Sequence, residues 1–427
     1  MTRTTLEIQI VFSMKFVCVV LFSFSLFLHS THLNAIYEGK HLKVGSSATL
    51  KATYDSKVFA MPTKDFNTIR ESNSSGITAS ELKSEDDFII SFSPALHFSS
   101  KLGLLKISGS AGVNISQYVL NDDKSNIVPT TSLSVDFDDT LALKKRISNN
   151  AKIRFESTFD VGQVVGASVL DQDLVSYTYI TSGLNVRYNH SDKFGLGGGT
   201  SYSYRFYQTD SNSRDQPNFD FSTLPLSARA FYIYSEKLDF FTTYSFSRSK
   251  ADSGNRNELT SSRSHSISVG ADGQFSPKLS GTASIGYSLL DFDYENTPNR
   301  HNIITTLNLN WKYNSKTSSD YSISRSISPT ATGQSTISTT IRTGVNHRFT
   351  DTWSGTAYVS SSLTDYIALN AGAINEYSSK NHGAGINFSK SLSNVFNASS
   401  GYDISYTSSL GNSFFRHVIY AQLTGKF

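Results

Sequence analysis

What most constrains this chain is the period of its hydrophobicity. Apolar and polar residues alternate one by one along runs of about ten, down to the final residue. In the stretch Phe415 to Phe427, Ile419, Ala421, Leu423 and Phe427 share one face, and Tyr420, Gln422, Thr424 and Lys426 the other. A period of two marks a strand with one apolar face and one wet face. The run from Ile303 to Tyr313 sets Thr305, Leu307, Leu309, Trp311 and Tyr313 against Thr306, Asn308, Asn310 and Lys312. Leu196, Tyr202, Tyr204 and Phe206 likewise oppose Ser201, Ser203 and Arg205, and Ile337, Ile341 and Val345 oppose Arg342, Asn346 and Arg348. A soluble sandwich also alternates, but here the polar faces are rich in Ser, Asn and Arg, with no second apolar layer to pack on.

The turns between these runs repeat. Tight polar turns flanked by apolar residues occur at Phe98–Leu102, Leu143–Ile147, Tyr188–Phe194, Tyr234–Leu238, Phe275–Leu279, Tyr313–Lys316, Phe349–Trp353 and Phe388–Leu392. Markers in them, from Lys101 to Ser391, are spaced by 36 to 47 residues. Each interval holds one long hairpin, with strands longer than the usual five or six residues. Looser polar segments lie between: Asn121–Pro129, Val161–Asp173, Asp210–Asn218, Ala251–Leu259, Tyr294–Arg300, Pro329–Gly333, Asn370–Ser378 and Ser408–Asn412. Short turns alternating with longer loops, and aromatics gathered at strand ends, fit a transmembrane antiparallel up-and-down β-barrel. Eight turns and two chain ends bound nine hairpins, so an all-β barrel of about 18 strands (16–18) is expected, with short periplasmic turns and longer extracellular loops. The segment at about 55–87 is its long first loop.

Composition agrees once it is known where to look. The mean hydropathy of −0.26 suits a water-soluble protein, yet barrel strands need only every second residue apolar, and 12% of the chain is aromatic. Met14-Lys15 followed by an apolar run to Leu28 reads as a secretory signal, too short for a spanning helix. Cleavage after Ala35 leaves residues 36–427 as a single barrel domain; Met14 is an alternative start. The mature chain then loses Cys18, the single cysteine, so disulfides and thiolate metal sites are excluded. Its charge of about +2 contains no basic run, so nucleic acid is not an expected partner.

Two stretches carry a more specific resemblance. Tyr54-Asp55-Ser56-Lys57-Val58-Phe59, followed by Asp86-Asp87-Phe88-Ile89-Ile90-Ser91-Phe92-Ser93-Pro94-Ala95-Leu96, resembles the opening of the β-barrel porins encoded beside exopolysaccharide genes. Lys57 stands where that family more often has Asn. The final strand resembles the C-terminal signal strand of bacterial outer-membrane proteins, departing from it at Gly425. These resemblances imply a bacterial outer-membrane location and a pore tied to surface polysaccharide or to components of an export system. They also imply outer-membrane lipid and the outer-membrane assembly machinery as partners, with Leu423 and Phe427 forming the assembly signal. They assign no cofactor and no catalytic residue.

The residues offer little chemistry. None of the eight histidines left in the mature chain lies in a metalloprotease or esterase spacing. His265 stands between Ser264 and Ser266, but adjacent strand residues point to opposite faces. Glu85-Asp86-Asp87 and Asp138-Asp139 lack calcium-loop spacing and read as solvated loop charge. Gly197-Gly198-Gly199 lacks the Lys-Ser/Thr of a phosphate loop and reads as close packing or a bend in the wall. Catalytic and metal sites are therefore not expected. Taking the polar face as inward, the pore-lining candidates are Lys106, Lys152, Arg154, Glu156, Arg205, Arg229, Asp272, Lys312, Arg342 and Arg348. Asp136, Asp138, Asp160 and Asp403 join them, and Lys426 sits at the base. The expected function is passive passage of small or polysaccharide-type hydrophilic solutes. A structural or adhesive barrel with a closed lumen is the second reading, and a rim-located barrel hydrolase the third.

Overall fold

A computed structural model of the chain describes residues 37–71, 83–103, 105–138, 151–165, 174–207, 220–252, 261–293, 299–329, 335–367 and 377–427. The expected leader and the expected turn at Leu143–Ile147 lie outside these residues. A two-residue strand β1 (Tyr37–Glu38) precedes β2 (Leu42–Asp55), helix α1 (Thr63–Glu71), β3 (Asp87–Leu102), β4 (Leu105–Tyr118), β5 (Asn126–Asp138), β6 (Ala151–Val165) and β7 (Leu174–Asn189). There follow β8 (Phe194–Tyr207), β9 (Asp220–Ser235), β10 (Leu238–Asp252), β11 (Ser262–Ser276), β12 (Leu279–Phe292) and β13 (Arg300–Lys312). The last are β14 (Thr317–Pro329), β15 (Ser335–Arg348), β16 (Trp353–Ile367), β17 (Tyr377–Ser391), β18 (Phe396–Ser409) and β19 (Asn412–Lys426).

The eighteen strands from β2 to β19 each pair antiparallel with the strand before and the strand after, and β19 pairs with β2. The expected strand number is met, with β1 as a short addition alongside β2. Strands of 13 to 16 residues are about 43–53 Å long at ~3.3 Å per residue. Tilted by roughly 45°, they cover the ~25 Å apolar band of an outer membrane with length to spare. At one end the strands join through short segments such as 236–237 and 277–278; β2 starts and β19 stops at that same end. The other end carries the longer connections, with two exceptions to the pattern: the β5–β6 connection at the first end spans twelve residues, 139–150, and one connection at the other end is short. The segment Ser408–Asn412, expected to be loose, is a two-residue turn in which Leu410 and Gly411 take φ of 50° and 80°. Two successive positive φ values make the hairpin turn whose twist matches the strands, and Gly411 accepts that conformation without a Cβ clash.

Alternation decides which face is wet. Ile267, Val269, Ile285, Ile341, Val345, Val359, Ile386 and Ile419 are large apolar residues left exposed on one side of the sheet. No water-soluble protein tolerates such a continuous belt, and lipid is its natural solvent. On the polar side, side chains reach across intervening strands: Arg187 on β7 meets Asp239 on β10, and Tyr358 on β16 meets Asp403 on β18. Reaching over a neighbour is easiest on the concave side of a curved sheet, so the polar face lines the lumen. Two outward histidines bond outward tyrosines. His265 hydrogen-bonds Tyr244 (2.8 Å) and His417 hydrogen-bonds Tyr402 (2.8 Å).

The seam between β19 and β2 runs from Val418 opposite Asp55 to Lys426 opposite Ser47. Phe427 extends it, its N–H donating to Ser46 O and its carbonyl accepting from Ser46 N–H, both at 2.7 Å. The Phe427 ring is buried edge-on against Phe396 at 5.8 Å, and Leu423 pairs with Leu50 on the lipid side.

Two outcomes follow for the faces and the seam. Leu307→Arg should lower the unfolding free energy in lipid vesicles by about 2–4 kcal/mol, whereas the lumen-facing neighbour Thr306→Arg should leave it within about 0.5 kcal/mol; equal effects would reverse or abolish the face assignment. Deleting Phe427 should leave chain in the periplasm of a Gram-negative host or degraded. Normal outer-membrane amounts with unchanged heat-modified gel mobility would contradict its role at the seam.

Candidate functional site

The lumen begins at a mouth built by the first long connection. Val58, Phe59, Met61 and Phe66 form an apolar cluster, each 6% exposed or less, packed against Ile89 and Tyr118. Ile89 and Tyr118 are cross-strand partners on the face shared with Ser91 and Ser116, so the cluster sits on the inner wall at the loop end. The sequence reading found no strand pattern at 55–87; the connection instead carries α1 and this small core, and residues 72–82 lie outside the described ones. α1 is held at its far side by Asn412, whose amide donates to Asp65 (2.9 Å).

The base of the connection is a buried carboxylate. Asp87 is fully buried and accepts from the backbone N–H groups of Phe88, Val119, Leu120 and Asn121 at 2.7–2.9 Å, and from the Asn121 amide at 2.8 Å. Asn121 in turn binds Ser84 through both its amide atoms. Reading Glu85-Asp86-Asp87 as solvated loop charge is therefore corrected for Asp87. A carboxylate survives burial when several donors surround it, and here it splices two connections together. Glu85 pairs with Lys57 at 2.7 Å. Among the described residues, no group of three or more His, Cys, Asp or Glu could hold a metal ion.

Deeper in, the wall is layered. On β8 and β9, a Cβ at Gly195 would overlap the Phe231 ring, so the ring lies on bare backbone. The Arg187 guanidinium stands over that ring at 4.1 Å. On β10 and β11, Phe241 lies over Gly270 in the same way, with Arg229 at 3.6 Å above it. On β16 and β17, Tyr358 lies over Gly385 under Arg342 at 3.6 Å; on β18 and β19, Tyr420 lies over Gly401 under Lys51 at 4.7 Å. The order is constant: glycine, ring, cation, lumen. The reading of Gly197-Gly198-Gly199 as close packing fits this wall, since Gly197 also faces the Phe231 ring. The first two steps lie around β10 and the last two around β18, about eight strands apart in a ring of eighteen, so they face each other across the channel.

Not all sequence candidates take part. Arg205 faces inward over the Tyr179 ring at 5.6 Å, and Arg229 and Asp272 are 3.9 Å apart. Lys106 lies opposite Asp136. Lys152, Arg154 and Glu156 hold register positions opposite Asp138, Asp136 and Ser134, but their side chains lie outside the described residues. Lys312 lies opposite Ser318 at the turn end. Arg348 also sits low, hydrogen-bonding the Ser315 carbonyl at 3.4 Å beside a polar basin of about 550 Å³ that Lys426 helps to line. The sequence reading missed Arg187, Asp239 and the four rings, because an aromatic in an alternating strand reads as lipid-facing. The available signal was glycine: the inward glycines stand directly or diagonally opposite these rings.

A profile of the family described as "Putative beta-barrel porin 2" matches residues 47–427. The chain belongs to this porin family. It is a bacterial outer-membrane barrel with a pore or channel role. The matched span contains the Tyr54–Phe59 and Asp86–Leu96 stretches, so the porin's mouth is built from the residues that carried the resemblance. No curated protein matches the chain. Among solved structures it is similar to the outer-membrane channel DcaP of Acinetobacter baumannii (14% identity, 92% of this chain, 100% of that one, TM-score 0.41). It is also similar to OpdK of Pseudomonas aeruginosa (12%, 90% and 98%, 0.44). A third is the FrpB iron transporter of Neisseria meningitidis (12%, 88%, TM-score 0.45), of which this chain spans only 63%.

Phe66→Ala tests the mouth. Removing a 2%-exposed ring should destabilise the small core by about 3 kcal/mol and speed proteolysis within 57–86, with the barrel's heat-modified gel mobility unchanged. An unaltered cleavage rate would mean the cluster does not hold the connection in place.

Proposed function

We propose that this porin passes small or polysaccharide-type hydrophilic solutes passively, in connection with exopolysaccharide export. The observation that carries the reading is the inner wall: a polar face lined with Ser, Thr and Asn, and bearing cations held at fixed positions on opposite sides. A ring of eighteen strands encloses an aqueous channel, and such a wall suits hydrated solutes that are neutral or weakly anionic. In this reading the ten charged candidates line the pore, apart from Arg348 and Lys312, which belong to its turn-end exit. The chain enters the membrane through the assembly machinery with Leu423 and Phe427 as its signal, and its partners at the surface are lipid and polysaccharide.

One observation favours the second reading, a barrel with a closed lumen. The Val58–Phe66 cluster lies on the inner wall at the mouth and narrows it. Single-channel recording separates the two. A channel reading requires ohmic conductance from the wild-type protein, and deletion of Lys64–Ser84 should raise that conductance or leave it unchanged. A silent wild type that conducts only after the deletion would make the closed barrel correct.

Selectivity gives the charge test. Arg342 and Arg348 share the inner face of β15 and lie six residues apart, about 20 Å along the strand. That exceeds the ~8 Å screening length at physiological salt, so each acts locally. Replacing both by Glu should move the reversal potential in a salt gradient toward cation preference, more in dilute than in concentrated salt. An unmoved potential at both salts, in protein that inserts normally, would remove them from the conducting path.

A further inference from the structure

The four cations on the wall are not equivalent. Arg187 is paired with Asp239 at 2.7 Å, and Arg229 has Asp272 at 3.9 Å. Arg342 is exposed to the lumen, and among the described residues no carboxylate lies within ion-pair reach of it. Asp403 accepts from the Tyr358 hydroxyl instead, at 2.5 Å. That bond, and the absence of a Cβ at Gly385, fix the ring on which the guanidinium is stacked.

We propose that Arg342 is the centre of a subsite for hydroxylated carboxylates, sugar acids above all, within the pore; the proposal rests on the pore reading. A stacked guanidinium still presents N–H groups at its edge besides the one beside the Tyr358 hydroxyl, and that fork matches the two oxygens of a carboxylate. Stacking also removes rotamers before the solute arrives, so less entropy is lost on binding. Cross-strand partners share a face, and the partners of Arg342 are Ser322 on β14 and Ser360 on β16. Both hydroxyls lie on the lumen face in the row of Arg342: Ser322 donates to Asn308 at 2.9 Å, and the Ser360 oxygen occupies the space over Gly383, where no Cβ stands. One cation in a row of hydroxyls suits a singly charged acid bearing hydroxyl groups. A phosphate dianion would need a second cation or a nest of backbone N–H groups, and neither is present among the described residues of this row.

Titration calorimetry on the full barrel in detergent tests this, using sodium glucuronate, glucose and inorganic phosphate as probes. Glucuronate should bind with a millimolar constant, glucose at least tenfold more weakly, and phosphate no better than glucose. Arg342→Gln should weaken glucuronate at least tenfold, and Arg342→Lys, which keeps the charge but not the fork, by about three- to tenfold. Tyr358→Leu should weaken it similarly, whereas Tyr358→Phe, which keeps the ring, should retain most of the affinity. Wild-type affinity in Arg342→Gln, equal binding of glucose, or tighter binding of phosphate would overturn the subsite. Heat-modified gel mobility checks that each variant is folded. Absence of ion conductance from folded wild type would instead overturn the pore reading, and the calorimetry would still decide whether Arg342 binds the acid.

Discussion

The structure depends on one constraint: in lipid, no backbone N–H or C=O can be left without a partner. Each such group in hydrocarbon is several kcal/mol unfavourable, on the order of a whole surface interaction network. A sheet meets the constraint only if its first and last strands pair, which makes the β19–β2 seam the condition for the other seventeen pairings. The seam is reinforced where the strands meet water. Ser46 and Phe427 exchange two hydrogen bonds at the turn end, and Arg416 grips Asp55 at the loop end, with Nε 2.9 Å from Oδ1. Across the middle, the Thr49 and Thr424 hydroxyls stand 3.1 Å apart.

Once the ring is closed, its inside becomes a second surface with its own physics. It is wet, so ion pairs there are worth little individually. The wall orders its charges another way, laying rings on glycines and cations on rings. Each cation–ring pair contributes about 0.5–2 kcal/mol according to how dry it is, and the flat stack keeps long side chains out of the channel axis. The layering explains why glycine is tolerated inside strands that would otherwise be weakened by it. Gly385 is the clearest case, because a methyl group there would strike both Tyr358 and Asp403.

The mouth obeys the older rule of globular proteins. The described part of the connection buries four apolar side chains against Ile89 and Tyr118. Its ends are pinned by carboxylates with many donors, Asp55 and Asp87, which are themselves cross-strand partners. Those acids lie within the two stretches that resembled known porins, so the resemblance marks the splice between barrel and mouth, not the conducting path.

Much of the fold was legible from alternation and turns alone, because a period of two dictates strands and the lipid dictates closure. Strand number, most of the alternation of short and long connections, and the lipid-facing set around Leu307 follow from local pattern. The tight turn at Leu410-Gly411 escaped because its neighbours are as polar as a loop. Residues far apart in the chain become neighbours only after strands are paired in register, and that was out of reach. Register brings Tyr358 over Gly385 and beneath Arg342, carries Arg187 to Asp239, and buries Asp87 among the backbone amides of Val119 to Asn121. The sequence determined which strand faces are polar; only the closed sheet decided which rings join them and which side chains touch, since a shift of one residue in any pairing would send those side chains to the other face.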